Sequence, residues 1–543
     1  MRASLVLLAA VACTPLDEGE PATRRDDPIA TVAPPPDDCD ALGLPKVAWN
    51  PGPSGETLES IAGDFTVKTL DGPWTLSEHF SGCDTYLFVP SVQDDEPPWP
   101  EPLWSRDGED LFARLPPNVH LFFVSTESGD DLAAELDLIQ ATVDVGLDSL
   151  KKADRDHWAD RVHIVKTPLS DLNDESWVGR YLDEPGWGFG IDRNQRIRNI
   201  GSLADGARYS PSFGWFAPNL SHVAYEAVRY NAEAARDAHL AADGATVVRP
   251  FSAQIVEDSG WAGVMGYNYL ELPSALEMAA FDTLELDFTL DCPGPGEYGV
   301  CPAWDRIVNG YLCDAADENQ CTLEFGRWIS AYHRKGRWVT DASFLLPLLA
   351  EGGTRRLALY SIDPYAMTLD FRFSNQGKSE APARTEQLWQ VFRAMDDGYL
   401  PAFPERAIAI PADSTRTELT VVISGHGMSS GQNCAEFCDT HHILSVNGVP
   451  AWEISFPQTD DTEACQNDVA NGTVPNQYGT WFYGRSNWCP GKAVVPLTFD
   501  VSGLVTPGEP AVFSYTATGP TGPLPGGQAS MDVSVFVTDY AAR

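Results

Sequence analysis

The chain is short of positive charge: 36 Lys and Arg stand against 78 Asp and Glu, a formal net charge of -42 over 543 residues. Such a surface repels a phosphate backbone, which argues against nucleic acid as a partner. Long apolar runs are scarce as well. The run at the N-terminus, Leu5 to Ala12, is far too short to cross a bilayer, where about 20 apolar residues are needed. No strong internal repeat is found, so a solenoid or propeller is not indicated. What is abundant is aromatic surface: 16 Trp, 17 Tyr and 24 Phe supply rings that stack on an uncharged ligand such as a sugar.

The opening MRASLVLLAAVAC reads as a cleaved export signal over residues 1–13. Ala10-Val11-Ala12-Cys13 resembles the lipobox of bacterial lipoproteins, with Ala where Leu is more usual, and would make Cys13 a lipidated first residue. The expected location is therefore the cell envelope through a lipid anchor, or secretion. Beyond Cys13 ten cysteines are left, at 39, 83, 292, 301, 313, 321, 434, 438, 465 and 489. Five bridges between sequence neighbours would use all of Cys39, Cys83, Cys292, Cys301, Cys313, Cys321, Cys434, Cys438, Cys465 and Cys489; the pairing itself stays open. Residues 14–45 are rich in Pro and Asp and nearly free of large apolar residues, which predicts a disordered tether.

The length suggests about two to four domains. Residues 46–240 alternate strand, helix and hairpin signals, with strands near 65–69, 85–90 and 119–125, helices near 131–151 and 221–240, and a hairpin over 188–201. That order, with the opening GDFTVKTLDG and the hairpin GFGIDRNQRIRNIG, resembles the thioredoxin-like domains of peroxiredoxins and thiol reductases. Redox members place a nucleophilic thiolate at the helix start after the second strand. Here that stretch reads Pro90-Ser91-Val92-Gln93-Asp94-Asp95, so the domain is expected to be an accessory one without thiol chemistry, and Cys83 to bridge Cys39. After a junction over 241–270 the pattern changes to short alternating strands. Leu284, Leu286, Phe288 and Leu290 alternate with polar residues, and 368–373, 419–424 and 531–537 behave alike; this predicts antiparallel sandwiches or jelly rolls over 271–380 and 405–541, separated by a Pro-rich turn region at 381–411. The expected fold is thus multidomain, α/β followed by all-β.

Two stretches carry the chemistry. DCPGPGEYGVCPAWDR, ending at Arg306, and SGHGMSSGQNCAEFC, from Ser424 to Cys438, each set a carboxylate flanked by an aromatic ring beside a tight cysteine loop. Short disulfide loops hold their neighbours on a fixed base at small entropic cost, which presents Asp305 and Glu436 as site residues; singly, either loop also reads as an ordinary staple of an exported β protein. Together with GRWISAYHRKGRW from Gly326, His442 after the second loop, and Arg485-Ser486-Asn487-Trp488-Cys489-Pro490-Gly491, they resemble the peptide-N-glycosidase F family in the same order over about half the chain.

The resemblance implies two packed eight-stranded jelly rolls with a glycan at their junction and hydrolysis of the amide that joins Asn to its sugar. It makes Asp305 the main catalytic group, with Glu436 supporting the same site. Chemically, Asp305 suits a base that activates water, while Glu436, Arg306 and Arg485 hold the substrate by hydrogen bonds. Trp304 and Trp488 are expected to offer faces to the inner sugar rings. N-linked glycoproteins or glycopeptides are the implied partners, and no cofactor or metal is implied. The chain departs from the family where a further acid stands in a Y-T-E-T-W segment: Tyr360-Ser361-Ile362-Asp363-Pro364-Tyr365 shifts acid and ring by one, so Asp363 is either a substitute or a turn residue. His426 and Phe437 replace family tryptophans, which bears on substrate preference. Two alternatives remain: a glycan-binding surface lipoprotein without catalysis, and a copper monooxygenase-like protein built on His426, His441 and His442.

Overall fold

The computed structural model describes residues 38–91, 103–105, 108–182, 187–210, 215–256, 263–427 and 435–543. Cys13, Cys434, residues 14–37 of the expected tether and Val92 to Asp95 lie outside them. No described helix is long and apolar enough to cross a membrane.

The N-terminal half is built on strands β1 (Thr66–Thr69), β2 (Gly72–Thr75), β3 (Thr85–Pro90), β4 (Val119–Val124), β5 (Val162–Val165), β6 (Phe189–Ile191) and β7 (Ile197–Asn199). They form one sheet in the order β2-β1-β5-β4-β3-β6-β7, with β3, β4 and β5 parallel and the outer strands antiparallel. TYLFVP of β3 and VHLFFV of β4 are buried along their whole length. Strands with both faces covered have no polar alternation, because no side meets water. One core holds Leu87, Leu121, Phe123 and Ile139, and the other Phe88, Phe122, Trp177 and Phe189. A two-stranded ribbon follows, β8 (Ala204–Ser210) with β9 (Trp215–Pro218), and then the helix Ala224–Ala242.

The remainder is all β. The first sandwich contains β10 (Thr246–Val256), β11 (Val264–Ser274), β12 (Thr283–Asp291), β13 (Ile307–Cys313), β14 (Cys321–Ile329), β15 (Gly336–Asp341), β16 (Gly352–Ser361) and β17 (Tyr365–Ser374). The second contains β18 (Glu380–Ala394), β19 (Arg406–Ala409), β20 (Arg416–His426), β21 (His441–Val446), β22 (Val449–Ile454), the short β23 (Lys492–Ala493), β24 (Leu497–Asp500), β25 (Pro510–Thr518) and β26 (Ser530–Ala542). The sheets run β10-β17-β12-β15 and β11-β16-β13-β14-β23 in the first, β18-β26-β20-β24 and β19-β25-β21-β22 in the second; β23 thus crosses into the first sandwich. Period-2 burial is visible along β25, where every second side chain from Ala511 to Ala517 enters the core.

Two segments differ from the sequence reading. The stretch 241–270, expected as a junction, supplies β10 and most of β11. Bulges between Val248 and Phe251 and between Phe251 and Gln254 interrupt the alternation of β10, and β11 turns tyrosines outward, so neither shows an apolar-polar rhythm. The stretch 381–411, expected as a Pro-rich turn, opens with the long strand β18. Pro382 is tolerated there because β18 is an edge strand with a bulge between Pro382 and Arg384.

The outer face of β13 and β14 packs on that of β20 and β26. Arg327, fully buried at the seam, binds Glu324 (2.7 and 2.8 Å) on its own strand and reaches Ser424 Oγ (2.8 Å) and Asp532 Oδ1 (2.9 Å) on the other sandwich. Asn309 donates to Glu324 (2.8 Å) and Asp532 (3.3 Å). A buried charge is held without large cost only when paired and hydrogen-bonded, and this network fixes the angle at which the two sandwiches meet.

Candidate functional site

The first arm of the site leaves β12 through a loop closed by the Cys292–Cys301 disulfide. Glycines with positive φ at 296 and 299 let the chain turn tightly inside it. Trp304-Asp305-Arg306 follows, clamped to the end of β14 on both sides of the acid. Ser330 Oγ donates to Trp304 O (2.8 Å) and accepts from Arg306 N (2.8 Å), while Ser330 N donates to Arg306 O (2.9 Å).

The second arm is the turn 435–438 after β20. Ser486 N donates to Glu436 O (3.0 Å), Ser486 Oγ donates to Cys438 O (3.1 Å), and Gly425 N donates to Ser486 O (3.1 Å). Ala435 O presses so closely on Gly425 that a Cβ there would lie 1.7 Å from it. Only glycine admits that approach, and it brings Glu436 over the strand end.

Arg485 joins the arms. Its side chain is wholly buried, and its guanidinium donates to Glu436 Oε1 through Nε (3.1 Å) and to Asp305 Oδ2 through Nη2 (3.4 Å). Tyr483 O (2.9 Å) and Thr480 Oγ1 (3.1 Å) take further donors, and the rings of Phe437 and Trp488 lie 4.9 and 4.8 Å from it. A planar fork bonded on several edges cannot rotate, so it sets the positions of both carboxylates. Burial raises the Asp305 carboxyl above its ordinary value against the pull of Arg485 and a hydrogen bond from Tyr332. Burial raises Glu436 too, opposed by Arg485 and reinforced by the charge of Asp305. Both acids thus sit in a partly desolvated place where the proton is held more tightly than in water.

The other expected site residues divide. Trp304 is 55% exposed and offers an open ring. Arg306 Nε stands 3.7 Å from Asp363 Oδ2, so Asp363 is brought to the site's margin; burial raises its carboxyl against the pull of Arg306. Trp488 differs from expectation: only 6% exposed, it donates to Gly425 O (2.6 Å), with the Arg485 guanidinium 4.8 Å from its ring and the His426 ring stacked 5.1 Å away. It packs against Arg485 and His426 rather than standing open to solvent. His426 is hydrogen-bonded to Ser424 Oγ through Nε2 (2.7 Å), and burial with Arg327 and Arg485 nearby holds its imidazole neutral.

The histidines of the copper alternative do not converge. His442 is buried in the second sandwich with Tyr515 on Nδ1 and Thr440 on Nε2, and burial lowers it to about 3. His441 points the other way, to Glu453 (2.8 Å). Among the described residues no group of three His, Cys, Asp or Glu side chains converges as for a metal ion. Four of the cysteine pairs are bridged, Cys39–Cys83, Cys292–Cys301, Cys313–Cys321 and Cys465–Cys489. In the N-terminal half Ser91 follows β3 and donates to the buried Glu135 (2.8 Å).

Sequence reasoning missed the frame around Asp305. Tyr332, in the GRWISAYHRKGRW stretch, faces Asp305 and lies 3.5 Å from Arg485 Nη2. Two residues on, the buried Arg334 donates to Glu297 inside the disulfide loop (3.0 Å), to Pro475 O (2.6 Å) and to Asn199 O (2.8 Å), and it pairs with Glu226 of the helix Ala224–Ala242. Asn476 Nδ2 also bonds Glu226 (3.1 Å). The N-terminal half is therefore bolted to the segment that carries the acid. A motif in the sequence gives no sign of such a long-range pair.

A family model described as peptide-N-glycosidase F, C terminal, matches residues 401–535. The peptide-N(4)-(N-acetyl-beta-D-glucosaminyl)asparagine amidase F of Elizabethkingia miricola is 24% identical over 288 residues, 48% of this chain and 75% of the relative. A crystal structure of a peptide-N(4)-(N-acetyl-beta-D-glucosaminyl) asparagine amidase is 19% identical, covering 55% of this chain and 96% of that one with a TM-score of 0.46. A structure of PNGF-II is 12% identical, covering 65% and 74% with a TM-score of 0.43.

Proposed function

We propose that this chain, which belongs to the peptide-N-glycosidase F family through its residues 401–535, hydrolyses the amide between an Asn side chain and the innermost sugar of an N-linked glycan. The observation that carries this reading is the bridge made by Arg485, which holds two acids from separate sandwiches 3.4 and 3.1 Å from one guanidinium. Asp305 accepts a proton from water as the oxygen attacks the amide carbon. Its raised affinity for a proton makes it a stronger base than an exposed Asp. Arg306 is the donor available to negative charge on the amide oxygen, while the wholly buried Arg485 keeps both carboxylates in place. The C–N bond then breaks, the proton passes to the departing nitrogen, and Asn has become Asp with release of a glycosylamine. Glu436 holds the substrate amide and sugar, Trp304 takes a sugar ring on its open face, and Asp363 orients Arg306.

The two sandwiches are read as the family's paired jelly rolls, and the N-terminal sheet as a thioredoxin-like unit without thiol chemistry, since Ser91 follows β3. Export with lipidation of Cys13 completes the proposal. The test is a defined glycopeptide incubated in heavy-oxygen water. Mass spectrometry should find Asp at the former glycosylation site with the label in its side-chain carboxylate. A peptide that stays glycosylated refutes the reading and favours a binding protein.

A further inference from the structure

The seam between the sandwiches is closed at Asn309, Arg327, Ser424 and Asp532, and the strand order and register imply a wedge beyond them. Cross-strand register sets the floor. Asn309 of β13 pairs with Tyr360 of β16, which pairs with Met265 of β11; Tyr311 and Tyr267 both pair with Ala358. Residues directly opposite on antiparallel strands share a face. These side chains therefore lie on the face whose β13 and β14 part meets the second sandwich, while the part on β16 and β11 extends past it. Tyr267 and Tyr269 are 43% and 47% exposed. The opposing wall comes from β18, where Phe392 pairs with Asp532 and is 59% exposed.

The wedge leads to the site. Adjacent strands are about 4.8 Å apart, so Tyr360 is one step and Met265 two steps from the strand that begins after Arg306. On the other wall Phe392 stands edge-on to His426, 6.3 Å between ring centroids, and His426 stacks on the Trp488 that underlies Arg485. Asp363, two residues beyond the end of β16, stands beside Arg306.

We propose that Met265, Tyr267, Tyr269, Tyr311 and Tyr360, faced by Phe392, form the track for the outer sugars of the N-linked glycan whose innermost residue lies between Asp305 and Glu436. This rests on the amidase reading above. The chemistry favours sugar over peptide. Tyrosines that show both ring and hydroxyl match the C–H faces and hydroxyls of pyranose rings. Among the described residues the cation on this part of the floor is Arg356, which is 4.2 Å from the Tyr267 ring and donates to Glu318 O (2.9 Å), so it fixes the floor rather than offering an open charge.

The test compares the full-length protein with a Tyr267→Ala/Phe392→Ala variant on one peptide carrying either a full branched glycan or only its two innermost sugars. Loss of ring stacking should raise KM about three- to tenfold for the branched glycan alone. Trp452→Ala, an exposed ring on β22 outside the wedge, controls for general loss of aromatic surface. An equal change on both substrates, or none, overturns the track; so does a loss that follows peptide length, which assigns the wedge to peptide. If the wild type releases no glycan at all, the amidase reading fails on its own. The track is then judged by titrating the free branched oligosaccharide: a three- to tenfold weaker Kd in the double variant supports it, and an unchanged Kd overturns it.

Discussion

Asp305 and Glu436 stand at the ends of two arms that are stiffened in different ways. The Asp305 arm is closed by a disulfide nine residues long, clamped through Ser330 on both sides of the acid, and buttressed through Glu297 and Arg334 by a helix of the N-terminal half. The Glu436 arm is held by main-chain bonds to Ser486 and by the close approach of Ala435 to Gly425. One acid is thus fixed by covalent closure and buried ion pairs, and the other by backbone fit. Arg485 follows Glu436 in the chain, belongs to the same sandwich, and is the link through which the less braced arm is registered against the more braced one. A site divided between two bodies needs such a link, because catalysis falls steeply when reacting groups are misplaced by about 1 Å.

The largest effect should come from the braced acid. Asp305→Asn keeps the shape and removes the base, so kcat for glycan release should fall about 10²- to 10⁴-fold while KM changes little. In the wild type the same carboxyl should set the acid limb. Activity requires the deprotonated form, so it is full above the raised value and is lost as pH falls through it, above the ordinary Asp value of about 3.9. An acid limb below that value would mean Asp305 is not the base. Next is the link: Arg485→Met leaves two carboxylates facing each other without their cation, and breaking a buried pair costs about 3–5 kcal/mol, read as a lower unfolding midpoint in urea together with lost turnover. Retained stability and turnover would show that the arms are registered by something else.

Glu436→Gln should cost less, about ten- to a hundredfold in kcat/KM, the value of one hydrogen bond to a charged group. The smallest effect tests the buttress. Glu226→Ala removes an acid far from the reacting atoms, so it should speed amide hydrogen exchange over 301–306 and leave strand β25 unchanged. It should also move the acid limb of the pH profile downward, since a looser and better hydrated Asp305 loses the burial that raises it. Unaltered exchange and an unaltered limb would reduce the N-terminal half to a neighbour of the site.

Much of this site was legible because its residues sit in short motifs: the Cys292–Cys301 loop with Trp304 to Arg306, the acid beside Cys438, and Arg485 before Trp488. Short range is what a motif records. The roles of aromatic residues are less legible, because a sequence does not say how far a ring is covered, and Trp488 is only 6% exposed. Asp363, in the turn after β16, stands 3.7 Å from Arg306, a proximity that its place in the chain does not announce. The pair of Glu226 and Arg334 was out of reach, being 108 residues apart and marked only by burial. In the fold, the parallel strands β3 and β4 read clearly as continuous apolar runs, whereas β5, only four residues long and containing His163, did not. Strands β10 and β18 did not, because bulges and a proline break the rhythm on which strand assignment depends.

The most direct test of a single site shared by two arms is a double-mutant cycle of Asp305→Asn and Glu436→Gln, followed by kcat/KM for glycan release. Because both acids share the Arg485 guanidinium, the losses should not add. The double variant should fall short of the product of the two single losses by about 0.5–3 kcal/mol of coupling. Losses that multiply fully would mean that the two acids act independently, and would contradict the account.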